Sequence, residues 1–385
     1  MWNLGLTDHP AKPGPVIGNS GGDPVALTGY GYWPGLSTPR RRGFEFRIMR
    51  RRDDRSSQLG KDARNESATK DGWSMITRDD VLAARGRING YIRHTPLLRP
   101  EEQAEPVWLK CEFLQHTGVF KTRGAFNRLL AARDRGELNP SVGVVVASGG
   151  NAGLANAYAA AALGVRATVF VPETAPTVKI ERIREYGANV RQVGSEYAEA
   201  LEAAIDYAGT YGALFNHAYD QLEIAAGAGT LAEEILEDEP GIQTIIVAVG
   251  GGGLYAGVAA AAEGRAQIVA VEPFTCPTLH AALDASHPVN VSVSGVAADS
   301  LGARRVGEIA FSIASRANPT SVLVDDEAIV SARSQLWREY RIPAEHGAAA
   351  ALASLSSGAY QPARGERVAV VVCGANTDVR TLEPE

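Results

Sequence analysis

From about residue 106 onward, short β-branched runs alternate with longer stretches in which apolar residues recur with helical spacing. The runs fall at 143–147, 167–172, 189–193, 244–249, 267–272, 321–324 and 367–373; the helical patterns fall at 152–163, 178–186, 195–211, 224–236, 255–263, 326–340 and 345–355. Such alternation predicts βαβ units and a mostly parallel sheet covered by helices on both faces, an α/β fold. The block 143–217 is expected to form a smaller domain inserted into a larger one built from 75–142 and 218–385. Ligands in such sheets sit beyond the carboxyl ends of strands, so the loops after 147, 249 and 373 are where chemistry is expected. A capping pattern, Thr77-Arg-Asp-Asp80, followed by Val81, Leu82, Ile88 and Ile92, predicts that folded structure starts near residue 75.

Residues 1–74 show neither period. They are rich in Gly and Pro, then in Arg (40–42 and 50–52), and are expected to be a disordered extension. They carry 12 Lys and Arg against 8 Asp and Glu, whereas the remainder carries 26 against 36, so the body is too acidic for a nucleic-acid binder. No apolar run is long enough to span a bilayer. Cys111, Cys276 and Cys373 are far apart and outside any CxxC spacing, which argues against a zinc site or a disulfide framework and for a reducing compartment, the cytoplasm.

Four segments carry candidate chemistry. In the first, Lys121 follows Phe120 and precedes a helical run; a desolvated lysine can lose its proton and condense with an aldehyde. In the second, a strand ends in Ser148-Gly-Gly-Asn151, a donor-rich turn at a helix start that suits a carboxylate or a phenolic oxygen. The third places Gly250, Gly251, Gly252 and Gly253 directly after a buried strand, where amides without Cβ atoms can turn around a phosphate. It lacks the lysine of a nucleotide P-loop and the spacing of a dinucleotide fingerprint. The fourth is a strand ending at Cys373, a weak donor or acceptor for a ligand nitrogen.

Taken in order and spacing over residues 76–380, these segments resemble the serine/threonine dehydratase family of pyridoxal-phosphate (PLP) enzymes, fold type II, built from two doubly wound parallel-sheet domains. The resemblance implies that Lys121 is the lysine that binds the cofactor aldehyde and acts as base, with Phe120 beside it. It also implies that Ser148 and neighbouring amides hold the substrate carboxylate, that Asn151 faces the cofactor 3-hydroxyl, and that Gly250–Gly253 with Leu254 hold the phosphate. Cys373 stands where the family places Ser or Cys near the pyridine nitrogen. Glu272, Cys276 and Thr278 resemble the family's cation site, read here as monovalent because Thr278 replaces a carboxylate. The implied activity is dehydration and deamination of L-threonine or L-serine by a homodimer.

Two positions depart from the family. Val119 replaces the usual serine beside Phe120, and Gly149 stands where serine racemases carry a second serine, which weakens a racemase reading. Asn151-Ala-Gly153 and Cys373-Gly374 look more like the serine-dehydratase branch. Nine residues after Asn376 leave no room for a regulatory domain, so no feedback by isoleucine is expected. The alternatives are β-replacement, threonine synthase or a PLP-binding protein without turnover.

Overall fold

The computed structural model describes residues 75–100 and 106–382; the extension expected at 1–74 lies outside them. Ten strands are present among these residues: β1 (Leu97–Leu98), β2 (Val107–Cys111), β3 (Val144–Ala147), β4 (Ala167–Val171), β5 (Asn189–Gln192), β6 (Leu214–Asn216), β7 (Thr244–Ala248), β8 (Gln267–Pro273), β9 (Thr320–Val324) and β10 (Val368–Val372). They form a six-stranded sheet in the order β1-β2-β10-β7-β8-β9 and a four-stranded sheet in the order β5-β4-β3-β6. Every pairing is parallel except that of β1 with β2. The strands of the smaller sheet all lie within residues 144–216.

Side-chain alternation explains why both faces of the smaller sheet are covered. Val144 and Val146 pack into one apolar cluster with helix Asn151–Ala162, while Val145 and Ala147 pack into another with Ala200 and Ala204 of helix Tyr197–Tyr211. The six-stranded sheet has a single large core that takes in Ile245, Val247, Val269, Val271, Val370 and Val372. Helix Arg78–Ile88 begins at Thr77 with the reciprocal Thr77–Asp80 capping box that its sequence predicts.

Strands β1, β2 and β6 and helices Thr278–Ala285, Ala298–Leu301 and Glu308–Ala317 are additional to the elements expected from the sequence. Strand β2 was obscured by Lys110, a fully buried residue that breaks an otherwise apolar run. Lys110 is tolerated because it donates to the Glu234 carboxylate at 2.6 Å and to the Thr95 carbonyl at 2.8 Å.

Two close helix crossings set the position of the loops. Helix Leu222–Asp238 lies against helix Lys121–Asp134 on one side and helix Gly253–Ala262 on the other. At the first crossing a Cβ on Gly124 would stand 2.6 Å from the Ile224 carbonyl oxygen; at the second, one on Gly257 would stand 2.1 Å from the Ala225 carbonyl oxygen. Arg123 ties the first crossing down. Fully buried, it donates to both oxygens of Glu112 (2.8 and 2.8 Å) and both of Glu234 (2.6 and 2.8 Å). Replacing Arg123 with Met would leave Lys110 alone to balance two buried carboxylates. A loss of about 3–5 kcal/mol of unfolding free energy is expected, measured by denaturant titration of the cofactor-free protein.

Candidate active site

The four segments singled out in the sequence converge beyond the carboxyl ends of β2, β3, β7 and β10. Lys121, Asn151, Gly250 to Gly253, Leu254 and Cys373 line one cavity with Phe120, Tyr219, Ser300, Leu301 and Glu345, enclosing about 450 Å³ of empty space. Ser148 lies on the wider cleft that continues from it, together with Gly149, Tyr197, Tyr219 and Arg304.

Lys121 is the first residue of its helix, where unpaired backbone N–H groups disfavour an additional positive charge. Its amine lies over the Phe120 ring, 5.1 Å from the centroid, and donates to the Ala218 carbonyl at 3.2 Å. Burial pushes its pKa below the ordinary lysine value, opposed by the nearby Cys373 and Glu345. The preceding residue, Val119, is buried and extended and forms a single antiparallel bridge with Gly374, while the Phe120 amide donates to the Cys373 carbonyl at 3.0 Å. The lysine loop is therefore fastened to the end of β10 by backbone, which the side chain at 119 does not need to supply.

The glycine loop is shaped by what surrounds it. A Cβ on Gly251 would stand 2.4 Å from the Tyr219 ring, and one on Gly253 2.6 Å from the Tyr219 carbonyl oxygen; Gly252 has φ +92°. The amides of Gly250, Gly251 and Gly252 donate to no group among the described residues, and helix Gly253–Ala262 starts immediately after them. Unpartnered donors at a helix N-terminus, with side chains sterically forbidden, fit a phosphate group. The turn after β3 has the same character on a smaller scale: the amides of Gly149 and Asn151 are unpartnered among the described residues, and Ser148 Oγ accepts from the Gly150 amide at 3.3 Å. A desolvated lysine and an anion cradle in one cavity, with a second donor set on the cleft that continues from it, fit PLP and an amino-acid carboxylate.

Cys373 is buried at the cavity wall, and burial raises its thiol far above the usual range, so it stays neutral. Glu272, Cys276 and Thr278 do come together, as the start of a helix. The Glu272 carboxylate accepts from the Thr278 hydroxyl (3.0 Å) and from the amides of Leu279 (2.7 Å) and His280 (2.8 Å), capping Thr278–Ala285, and the Thr278 hydroxyl also reaches the Gly250 carbonyl at 2.6 Å. Burial raises Glu272 to about 7. Among the described residues, no group of three or more His, Cys, Asp or Glu is arranged to hold a metal ion.

Sequence reasoning passed over Tyr219, His217 and Glu345. The first two follow β6, a strand too short to register, although a polar cluster beyond a strand end is the signal that would have found them. His217 Nδ1 accepts from the amides of Tyr219 (3.3 Å) and Asp220 (2.9 Å), and burial lowers its pKa, so the ring is neutral and shapes the loop. Glu345 is a lone acid ahead of the alanine-rich helix His346–Ser356, and it is only 5% exposed. Both its oxygens accept from Asn151 Nδ2, at 2.9 and 3.0 Å.

The chain belongs to the family described as "Pyridoxal-phosphate dependent enzyme", which it matches over residues 88–374. Within it, the chain is similar to the L-threonine ammonia-lyase of Geobacter sulfurreducens, 35% identical over 80% of this chain and 77% of the relative. It is also similar to the phenylserine dehydratase of Ralstonia pickettii, 32% identical over 78% of this chain and 94% of the relative. Among solved structures it superposes on maize serine racemase with a TM-score of 0.75 and 29% identity, covering 80% of this chain and 96% of that one. The α/β architecture and the two parallel-sheet layers expected from the sequence are those of this family.

Burial drives Glu345 up to about 7 from the ordinary carboxyl value of 4.5. The sign of the consequence follows from linkage: the folded state holds this proton more tightly than the unfolded chain, so the stabilisation is complete below about 4.5 and is lost as pH rises through about 7. Glu272 acts in the same direction. Thermal unfolding of the cofactor-free protein between pH 4.5 and 8 is expected to show this decline, and Glu345→Gln to make it shallower.

Proposed function

We propose that this protein is a PLP-dependent lyase that converts L-threonine or L-serine to the 2-oxo acid and ammonia. The observation that carries the reading is the placement of the desolvated Lys121 amine in one cavity with the side-chain-free, donor-rich loop at 250–253. When bound, PLP supplies an aldehyde that condenses with amines and an electron sink for the pair left at the substrate Cα.

The protein's own residues supply the rest. Lys121 Nζ, with its proton affinity lowered by burial and by the helix start, is the group to hold the cofactor and then to take the proton from the substrate Cα. Ser148 and the amides of Gly149 and Asn151 are placed to hold the substrate carboxylate, which orients the Cα–H bond toward the lysine. Asn151 is assigned to the cofactor 3-hydroxyl and the loop 250–254 to its phosphate. The neutral Cys373 thiol cannot hold the pyridine nitrogen protonated as a carboxylate would, which favours loss of a β-hydroxyl over transamination. Overall, threonine gives 2-oxobutanoate and ammonia; the water lost with the hydroxyl is regained on hydrolysis.

Names of relatives support the substrate class, as L-threonine ammonia-lyase and phenylserine dehydratase both act on β-hydroxy amino acids. Glu272 has a role without a monovalent cation, since its carboxylate already accepts from the amides of Leu279 and His280. Three free, buried cysteines support a reducing, cytoplasmic setting; no helix among the described residues is long and apolar enough to cross a membrane. The same reading makes the active protein a homodimer.

Release of 2-oxo acid and ammonia from L-threonine and L-serine, by protein supplied with PLP, tests the proposal. Product is expected from the native chain and a loss of at least about a thousandfold in Lys121→Ala. Cofactor retained with no keto acid from either amino acid would move the reading to β-replacement or to binding without turnover.

A further inference from the structure

Asn151 is held by more than its own loop. Its Oδ1 accepts from Asn376 Nδ2 at 2.7 Å, and its Nδ2 donates to the Glu345 carboxylate at 2.9 and 3.0 Å. The second N–H of Asn376 donates to the Thr117 carbonyl at 3.0 Å, and Asn376 Oδ1 accepts from Arg182 at 3.0 Å.

The chemistry at the ends decides the direction of every bond in this chain. A guanidinium can only donate and a carbonyl can only accept, so Asn376 has one orientation, with its oxygen toward Arg182 and its nitrogen toward Thr117 and Asn151. Asn151 is then fixed as well, with its oxygen toward Asn376 and its nitrogen toward Glu345, a carboxylate aligned to accept. Asn151 itself lines the cofactor cavity. Thr117, whose carbonyl sets the register, has a left-handed backbone, φ 62°, in the loop that leads to Lys121.

The members also alternate between the two sheets. Arg182 lies on helix Thr177–Glu185 between β4 and β5, and Asn151 follows β3, both in the four-stranded layer. Asn376 follows β10, and Glu345 precedes helix His346–Ser356, which packs on β7 to β10 of the six-stranded layer.

We propose that Asn376, with Arg182 and Glu345 at the two ends of its chain, is a positioning residue for the lyase reaction. It fixes which face of the Asn151 amide meets the cofactor, and it does so only while the two sheets are seated against each other. The role rests on the reading of the cavity as a PLP site, but cofactor binding can be measured whether or not turnover occurs.

The test uses the full chain and three readouts: affinity of the cofactor-free protein for PLP, the absorbance maximum of the loaded protein, and the thermal midpoint without cofactor. Asn376→Ala removes the clasp but leaves Asn151 its bond to Glu345; a loss of about tenfold in PLP affinity is expected, the value of one hydrogen bond to a buried partner. Asn376→Asp offers only acceptors, which turns the Asn151 amide over against Glu345, so its affinity falls further and the absorbance maximum shifts. Arg182→Met, at an exposed position that leaves folding intact, lowers affinity about threefold, and Arg182→Lys restores it.

Native affinity and absorbance in folded Asn376→Asp would overturn the proposal. Equal losses in Asn376→Ala and Asn376→Asp would overturn it too, because Asn376 would then only fill space. A purely structural role would lower the thermal midpoints and leave affinity and absorbance unmoved. Should neither Asn376 variant fold, Arg182→Met decides alone, and unchanged PLP affinity there overturns the proposal. Absence of keto acid from the native protein would sink the lyase reading and leave this test standing.

Discussion

The placement of Lys121 depends on a cluster of four buried charges. Arg123 and Lys110 face Glu112 and Glu234 with no net charge left over, and every guanidinium donor pair finds a carboxylate. Such a cluster adds little to stability compared with apolar packing, but it tolerates few arrangements, because removing any one member strands a charge in a dry interior. It joins the loop after β2, the start of the lysine helix and the middle of helix Leu222–Asp238 at one point. Since that last helix also crosses helix Gly253–Ala262 backbone to backbone at Gly229 and Gly257, the lysine and the glycine loop are registered to a common support.

On that support the cavity is assembled from titratable groups whose burial disfavours their charged forms. Burial lowers Lys121 and His217 and raises Cys373 and Glu345, so the cofactor-free site contains few full charges of its own. What it offers instead is oriented dipoles, the free amides of two helix starts and the amide of Asn151. Fixed dipoles need no reorganisation when a phosphate or carboxylate arrives, which is the physical basis for assigning anions to those two places. Glu345 is a carboxyl sealed behind Asn151, close enough to Lys121 for each to influence the other's proton.

Much of this was legible in the sequence because the parallel strands are continuous apolar runs with small-residue turns at their carboxyl ends. Val144–Ala147, Thr244–Ala248 and Val368–Val372 all lie within the expected runs, and the turns after them carry Ser148, Gly250 and Cys373. What escaped notice was short or disguised. Strand β2 hides a buried lysine whose partners are more than 120 residues away in one case, a pairing no local pattern encodes. Strand β6 is three residues long, so Tyr219 and His217 seemed to belong to a loop between helices. Glu345 reads as a surface acid at a helix start and becomes a site residue only through Asn151, 194 positions away. Conversely, Glu272 and Thr278 did meet as expected, yet the carboxylate serves the helix that follows it, and the cap could not be foreseen without knowing that a helix begins at Thr278.

Every role proposed for the cavity follows from Lys121 being the residue that carries the cofactor. Reduction of the PLP-loaded protein with borohydride, followed by proteolysis and mass mapping, tests this directly. A phosphopyridoxyl group confined to the peptide containing Lys121 is the predicted result. A label on Lys110, Lys179 or another lysine, with the Lys121 peptide unmodified, would contradict it.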